Sequence, residues 1–249
     1  MNVRNRLWIF DFDGTLSPLV PDRDDARLHP DCADLLADLV IRPRQQVAIL
    51  SSRSLEDLVP RVPVPGLFLG GGSGIEWQLP DGRRVMPEGE WNKRLQRTRA
   101  TRLPPIGRMA ELPGVELEDK KWSVALHFRK APRESREELF TRIAEWRFRS
   151  ETRILHGPEV LEIQLLPEID KAFGVRTICT MIGFDPVDCA LVYAGDDEND
   201  AVAMRWVIYL GGTALMVGNL FPLEGAVNVA GQTGLVREVH RITAGSTGT

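Results

Sequence analysis

Three short apolar runs, Leu7–Phe10, Val47–Leu50 and Ala190–Ala194, each stop abruptly on a polar cluster. The clusters are Asp11-Phe12-Asp13-Gly14, Ser51-Ser52-Arg53-Ser54 and Gly195-Asp196-Asp197. A run this short, apolar at every position, suits a strand covered on both faces, the situation of a parallel sheet. Leu67–Leu69 and Ala214–Val217 read the same way. Between the first two runs, Cys32, Leu35, Leu36, Leu39 and Val40 recur at helical spacing, with Pro30 just ahead where a first helical turn tolerates it. Val175, Ile178, Cys179 and Ile182 mark a second helix face, with Asp170 placed to cap its start and Gly183 its end. Strands alternating with helices predict an α/β fold with a doubly wound, mostly parallel sheet.

The pattern changes after about Trp77. Pro80-Asp81-Gly82-Arg83 signals a turn, Ser123–Phe128 alternates like a half-buried strand, and Val160–Leu165 reads as another. Arg133–Arg149 reads as a helix with Glu138–Arg142 and Glu145–Arg149 at i, i+4. This middle third is α+β in style. The expected organisation is a discontinuous core, residues 1–78 and 168–249, interrupted by a smaller α+β cap at 79–167. The Gly/Ser/Thr-rich tail, 244–249, is expected to fray.

Charge and composition exclude several classes. Lys plus Arg number 31 against 35 Asp plus Glu, a formal net charge of −4, so broad nucleic-acid binding is disfavoured. No run approaches the roughly 20 apolar residues that span a bilayer, and the stretch ending at Phe10 is too short for a signal-peptide core. The expectation is a cytoplasmic monomer without membrane attachment. Cys32, Cys179 and Cys189 form no CxxC pair and read as reduced, mostly buried residues; the four histidines lie far apart, arguing against zinc.

Ligands of open α/β sheets bind beyond the carboxyl ends of the strands, where the polar clusters fall. Asp11 and Asp13, at i and i+2 of an extended segment about 6.5 Å apart, project to one side. Two like charges so placed call for a cation or a shared proton. Gly14 permits a turn, and Thr15 can offer a hydroxyl and an amide to an anion. Ser51 ends its strand at the same edge, where it could equally cap the next helix. Lys171 stands in the first turn of a helix, poorly placed for the helix dipole. Asp196, Asp197, Glu198 and Asp200 put four carboxylates within five residues; such hard oxygen donors suit Mg²⁺, although an acidic helix start would show the same pattern.

In this order, Asp11-x-Asp13-Gly14-Thr15, Ser51, Lys171 and Gly195-Asp196-Asp197-x-x-Asp200 resemble the four motifs of the haloacid dehalogenase superfamily of phosphotransferases. Asp11–Pro18, Leu50-Ser51-Ser52-Arg53, Lys120-x-x-Ser123, His127-Phe128-Arg129, Leu161-Glu162-Ile163 and Asp170-Lys171 further resemble trehalose-6-phosphate phosphatases. Ser73-Gly74 stands where that family usually has His-Gly, and Asn199 and Ala201 replace its Thr and Glu. The resemblance implies Asp11 as nucleophile, Asp13 as general acid and base, and Ser51 and Lys171 on the transferring phosphoryl group. It also implies Mg²⁺ held by Asp11, the main-chain carbonyl of Asp13 and Asp196, with Asp197 and Asp200 direct or through water. Substrate contacts would come from Thr15, Ser52, Arg53, Ser73 and Gly74 in the core, and from Lys120 or Lys121, His127, Arg129 and Glu162 in the cap. Another sugar-phosphate phosphatase of the same fold, acting on a glucosyl- or mannosyl-phosphoglycerate or sucrose phosphate, and a non-catalytic regulatory domain remain the alternatives.

Overall fold

In a computed structural model the apolar runs lie side by side as strands. The structure describes residues 5–87, 89–149, 152–157, 159–219 and 222–245, with side chains omitted at 147–149. In chain order the first elements are β1 (Arg6–Phe10), α1 (Pro30–Ile41), β2 (Gln45–Leu50), α2 (Leu55–Leu58), β3 (Phe68–Gly71), β4 (Glu76–Gln78) and β5 (Arg84–Val85). There follow α3 (Glu90–Ala110), β6 (Glu116–Asp119), β7 (Ser123–His127), α4 (Arg133–Arg149), β8 (Arg153–Gly157) and β9 (Val160–Gln164). The chain then forms α5 (Lys171–Met181), β10 (Ala190–Gly195), α6 (Glu198–Tyr209), β11 (Thr213–Val217), β12 (Val227–Val229) and α7 (Gly231–Gly245).

Two compact units result, Met1–Val85 with Asp170–Thr249, and Met86–Ile169. The larger holds an eight-stranded sheet in the order β12-β11-β10-β1-β2-β3-β4-β5, parallel from β12 to β3 and antiparallel at β4 and β5. The order reverses direction at β1, flanked by β10 and β2, so the ends of these strands form the switch point where open α/β sheets bind ligands. Both faces of β1 are covered, as its unbroken apolar sequence requires. Leu7 and Ile9 join a core with Val175 and Ile178 of α5 and Met204 and Val207 of α6. Trp8 and Phe10 point the other way, fully buried, their rings 6.2 Å apart and nearly parallel. The turn at Pro80–Arg83 closes a hairpin whose second strand, β5, pairs with β4; strand pairing thus carries the core sheet to Val85, past the expected boundary at 78.

The smaller unit holds an antiparallel sheet in the order β6-β7-β9-β8. Strand alternation divides its side chains. Val124, Leu126, Leu161 and Ile163 share one buried apolar face; Glu118, Ser123, His127 and Glu162 share the other. Helix α3 was not anticipated, and α4 runs as expected, with Arg142 Nε donating to Glu138 Oε1 at 2.8 Å. The Glu145–Arg149 pair and residues 246–249 of the tail lie outside the described residues. Among those described, no helix is long and apolar enough to cross a membrane.

Candidate active site

Asp11 is the first residue after β1, Ser51 the first after β2, and Asp196 the first after β10, so three neighbouring strands deliver three polar side chains to one edge. Two helix starts complete the arrangement. Asp170 caps α5, its carboxylate accepting from Phe173 N at 2.8 Å, and this sets Lys171 in the first turn. Asp197 caps α6 in a reciprocal capping box: its side chain accepts from Asp200 N at 3.0 Å, and Asp200 Oδ2 accepts from Asp197 N at 3.4 Å.

Lys171 is buried and donates from Nζ to Asp11 Oδ1 and to Asp200 Oδ1, each at 2.6 Å. Tyr193, fully buried on β10, donates its hydroxyl to the same Asp200 oxygen at 2.7 Å, and Asp196 N donates to Asp200 Oδ2 at 3.1 Å. Burial and the nearby Asp200 carboxylate hold Asp11 well above the usual carboxylate range, despite the pull of Lys171. Burial also lifts Asp196 to about 8, reinforced by Asp200 and Asp197. For Lys171 burial acts downward, but the facing carboxylates of Asp11 and Asp200 outweigh it and leave the ammonium well above its ordinary value. Burial and Asp200 raise Tyr193, keeping its hydroxyl a donor.

Oxygens of Asp11, Asp196 and Asp200 lie within 4.8 Å of one another. Three buried carboxylates against one ammonium is an unbalanced charge set, and hard oxygen donors of this kind fit a small divalent cation. Asp13 and Asp197 are outside this group. Asp197 is exposed and engaged as a helix cap. Asp13 accepts a two-pronged pair of hydrogen bonds from Arg53, Nε to Oδ2 and Nη2 to Oδ1, both 2.7 Å. Arg53 is itself buried and also donates to Asp57 Oδ2 at 2.6 Å, and Asp57 in turn accepts from Arg61 at 2.9 Å. Burial alone would weaken the Arg53 proton's hold, but these two carboxylates raise it above the ordinary guanidinium value.

Thr15 is buried with no hydrogen bond to its hydroxyl oxygen among the described residues, an available group beside the acidic cluster in sequence. Ser51 Oγ accepts from Arg53 N at 3.1 Å, so it organises its own turn as well as facing the strand edge. Ser52 is half-buried. Ser73 adopts a left-handed backbone, φ 59°, and Gly74 packs against Gly174 of α5 so closely that a Cβ there would stand 2.4 Å from its Cα. In the smaller unit, Glu162 accepts from Lys120 Nζ at 2.8 Å and Ser123 Oγ at 2.9 Å, while His127 lies 2.8 Å from Glu118. Arg129 pairs with Glu159 at 3.0 Å. Tyr193, Asp57 and Glu118 were not singled out from the sequence. Only Tyr193 left a signal there, a hydroxyl in a strand otherwise free of polar side chains.

The fold matches solved structures over nearly the whole chain. These include a Candida albicans trehalose-6-phosphate phosphatase C-terminal domain, TM-score 0.75 with 16% identity, covering 97% of this chain and 93% of that one. A haloacid dehalogenase-like hydrolase from Bacteroides thetaiotaomicron aligns at TM-score 0.66 with 14% identity, covering 96% and 100%. The mostly parallel sheet with its flanking helices is therefore a haloacid dehalogenase-like α/β fold. The trehalose-phosphatase family model matches residues 9–210, and the chain belongs to that family. The trehalose-phosphate phosphatase of Mycobacterium marinum is 32% identical over 90% of this chain, and that of Mycobacterium leprae 34% identical over 68%. The matches span 60% and 38% of those two proteins' own lengths.

Proposed function

We propose that the chain is a phosphatase that hydrolyses trehalose 6-phosphate to trehalose and phosphate with Mg²⁺ as cofactor. The observation that carries this reading is the buried Lys171 ammonium held between Asp11 and Asp200 at the strand switch point, 2.6 Å from each. It leaves Asp11 with its second oxygen, Oδ2, unclaimed by Lys171. That carboxylate is the nucleophile for in-line attack on phosphorus, and it carries the phosphoryl group as an aspartyl phosphate. Lys171 and Ser51 neutralise the equatorial oxygens as charge redistributes. Asp13 gives a proton to the leaving sugar oxygen and later takes one from the attacking water. To do so it must leave the paired hydrogen bonds of Arg53, in which both of its oxygens accept, and take up a proton from solvent before the sugar oxygen departs. Asp11, Asp196 and Asp200, with the main-chain carbonyl of Asp13, would hold Mg²⁺, and Asp197 presents Asp200 to it through the capping box. When bound, the cation offsets repulsion between a carboxylate and a phosphate dianion.

Sugar selection belongs in this reading to the smaller unit. Glu162, fixed by Lys120 and Ser123, has lone pairs left for sugar hydroxyls, and His127 and Arg129 supply further polar contacts. The C-terminal domain of a Candida albicans trehalose synthase regulatory protein shares the fold, TM-score 0.70 at 17% identity, so a regulatory domain is the alternative reading. The test is phosphate release from a panel of trehalose 6-phosphate, sucrose phosphate and glucosyl- and mannosyl-phosphoglycerate with Mg²⁺. Trehalose 6-phosphate is expected to be the best substrate. A clear preference for a phosphoglycerate ester would replace that assignment, and no release from any member would leave a binding domain.

A further inference from the structure

The last helix of the chain reaches back to the loop that follows β1. Gln232, the second residue of α7, aims its side-chain amide nitrogen at three main-chain carbonyls of that loop: Gly14 at 3.0 Å, Ser17 at 3.3 Å and Thr15 at 3.4 Å. The loop also closes on itself, Leu16 N and Ser17 N both donating to Phe12 O at 2.9 and 2.8 Å. Because the peptide unit is planar and trans, anchoring the Gly14 carbonyl also sets the opposed direction of the Thr15 N–H. The buried hydroxyl of Thr15 has no hydrogen-bond partner among the described residues. Gly14 in turn lies against the acidic cluster, since a Cβ built there would stand 2.0 Å from Asp196 Oδ2. Helix α7 is a firm support. Leu235 and Val239 are fully buried, and Thr233 Oγ1 reaches Asp31 Oδ2 of α1 at 3.4 Å. The family match ends at residue 210, well before this helix.

We propose that Gln232 is a positioning residue for phosphoryl transfer. It holds the Gly14–Ser17 loop so that Thr15 presents its N–H and hydroxyl to the phosphoryl oxygens and Gly14 stays seated against Asp196. The inference rests on the reading of the acidic cluster as a phosphatase site. Gln232 touches neither substrate nor cation; it acts through the backbone that does. A small displacement of such a loop is enough to slow a reaction about 100-fold without loss of the fold.

The test compares wild type with Gln232→Met, which keeps the length and loses the donor, and with Gln232→Glu, which keeps the shape and puts an oxygen against three carbonyls. Amide hydrogen exchange is measured over residues 12–18 and over β2 and β10, alongside kcat and KM for trehalose 6-phosphate. Exchange over 12–18 should rise about tenfold in both variants, the scale of a lost hydrogen bond, with β2 and β10 unchanged. In the same variants kcat should fall about 10- to 100-fold, with KM altered less than about threefold. Unchanged exchange over 12–18, a general rise that includes β2 and β10, or a loosened loop with wild-type kcat would each overturn the proposal. Absence of turnover in the wild type would overturn the phosphatase reading instead, and the exchange comparison would still decide whether Gln232 holds the loop.

Discussion

Gly14 and Gly82 have almost the same left-handed backbone, φ 81° and 84°, but opposite surroundings: a Cβ at 14 would collide with Asp196, whereas among the described residues nothing but the immediate chain neighbours lies within 4 Å of one at 82. The left-handed strain of an alanine, about 1–2 kcal/mol, is common to both. Gly14→Ala should therefore lower the melting temperature more than Gly82→Ala, and it alone should weaken Mg²⁺ binding measured by calorimetric titration. Equal effects would show that Asp196 moves aside freely. The residues nearest this chemistry were legible because each ends an apolar run or begins a helix. Asp11, Ser51, Lys171, Asp196 and Asp200 could be located at one sheet edge from order and spacing. Gln232 could not, since nothing in a polar residue at a helix start marks which distant carbonyls it will meet. The Arg53–Asp13 pairing was equally hidden, because it joins positions 40 residues apart through side-chain rotamers.

Among the elements, the strands were the easiest to read and α3 the hardest. Helix α3 carries Lys93, Arg94, Arg97, Arg99 and Arg102 and a Pro104–Pro105 pair, and buries only Leu95, Ile106 and Met109. Such a segment has no continuous apolar stripe, and its prolines argue locally against a helix. In the smaller sheet, alternation predicts which side chains share a face but not that Lys120 and Ser123 converge on Glu162. That convergence bears on substrate choice. Glu162→Ala removes the acceptor and leaves the half-buried Lys120 uncompensated. It should cut kcat/KM for trehalose 6-phosphate by about 1–3 kcal/mol of binding, roughly 5- to 150-fold, while p-nitrophenyl phosphate hydrolysis stays near wild type. An equal loss on both substrates would give Glu162 a structural role.

For the whole molecule, the acidic site ties stability to pH and to cation. Asp196 sits at about 8 in the folded protein against 3.8 for a free carboxyl, so between those values the folded state binds more protons than the unfolded one. Stability contributed by that proton is present at low pH and lost as pH rises through about 8. With chelator present, the melting temperature should therefore fall between pH 6 and pH 8, and Mg²⁺ should raise it most at the alkaline end, where the carboxylates are ionised. A cation effect independent of pH would separate the ion from this cluster. The division of the chain into two units came from a change of pattern, strand and helix alternation giving way to hairpins, whereas the exact limit depended on β5 pairing with β4. Each step of the proposed phosphoryl transfer depends on Asp11. Its most direct test is acid quenching during turnover of trehalose 6-phosphate, followed by mass spectrometry of the peptide that contains Asp11. A phosphoryl increment on Asp11, absent in Asp11→Asn together with turnover, is the expected result; steady turnover by Asp11→Asn, or an increment on another residue, would contradict it.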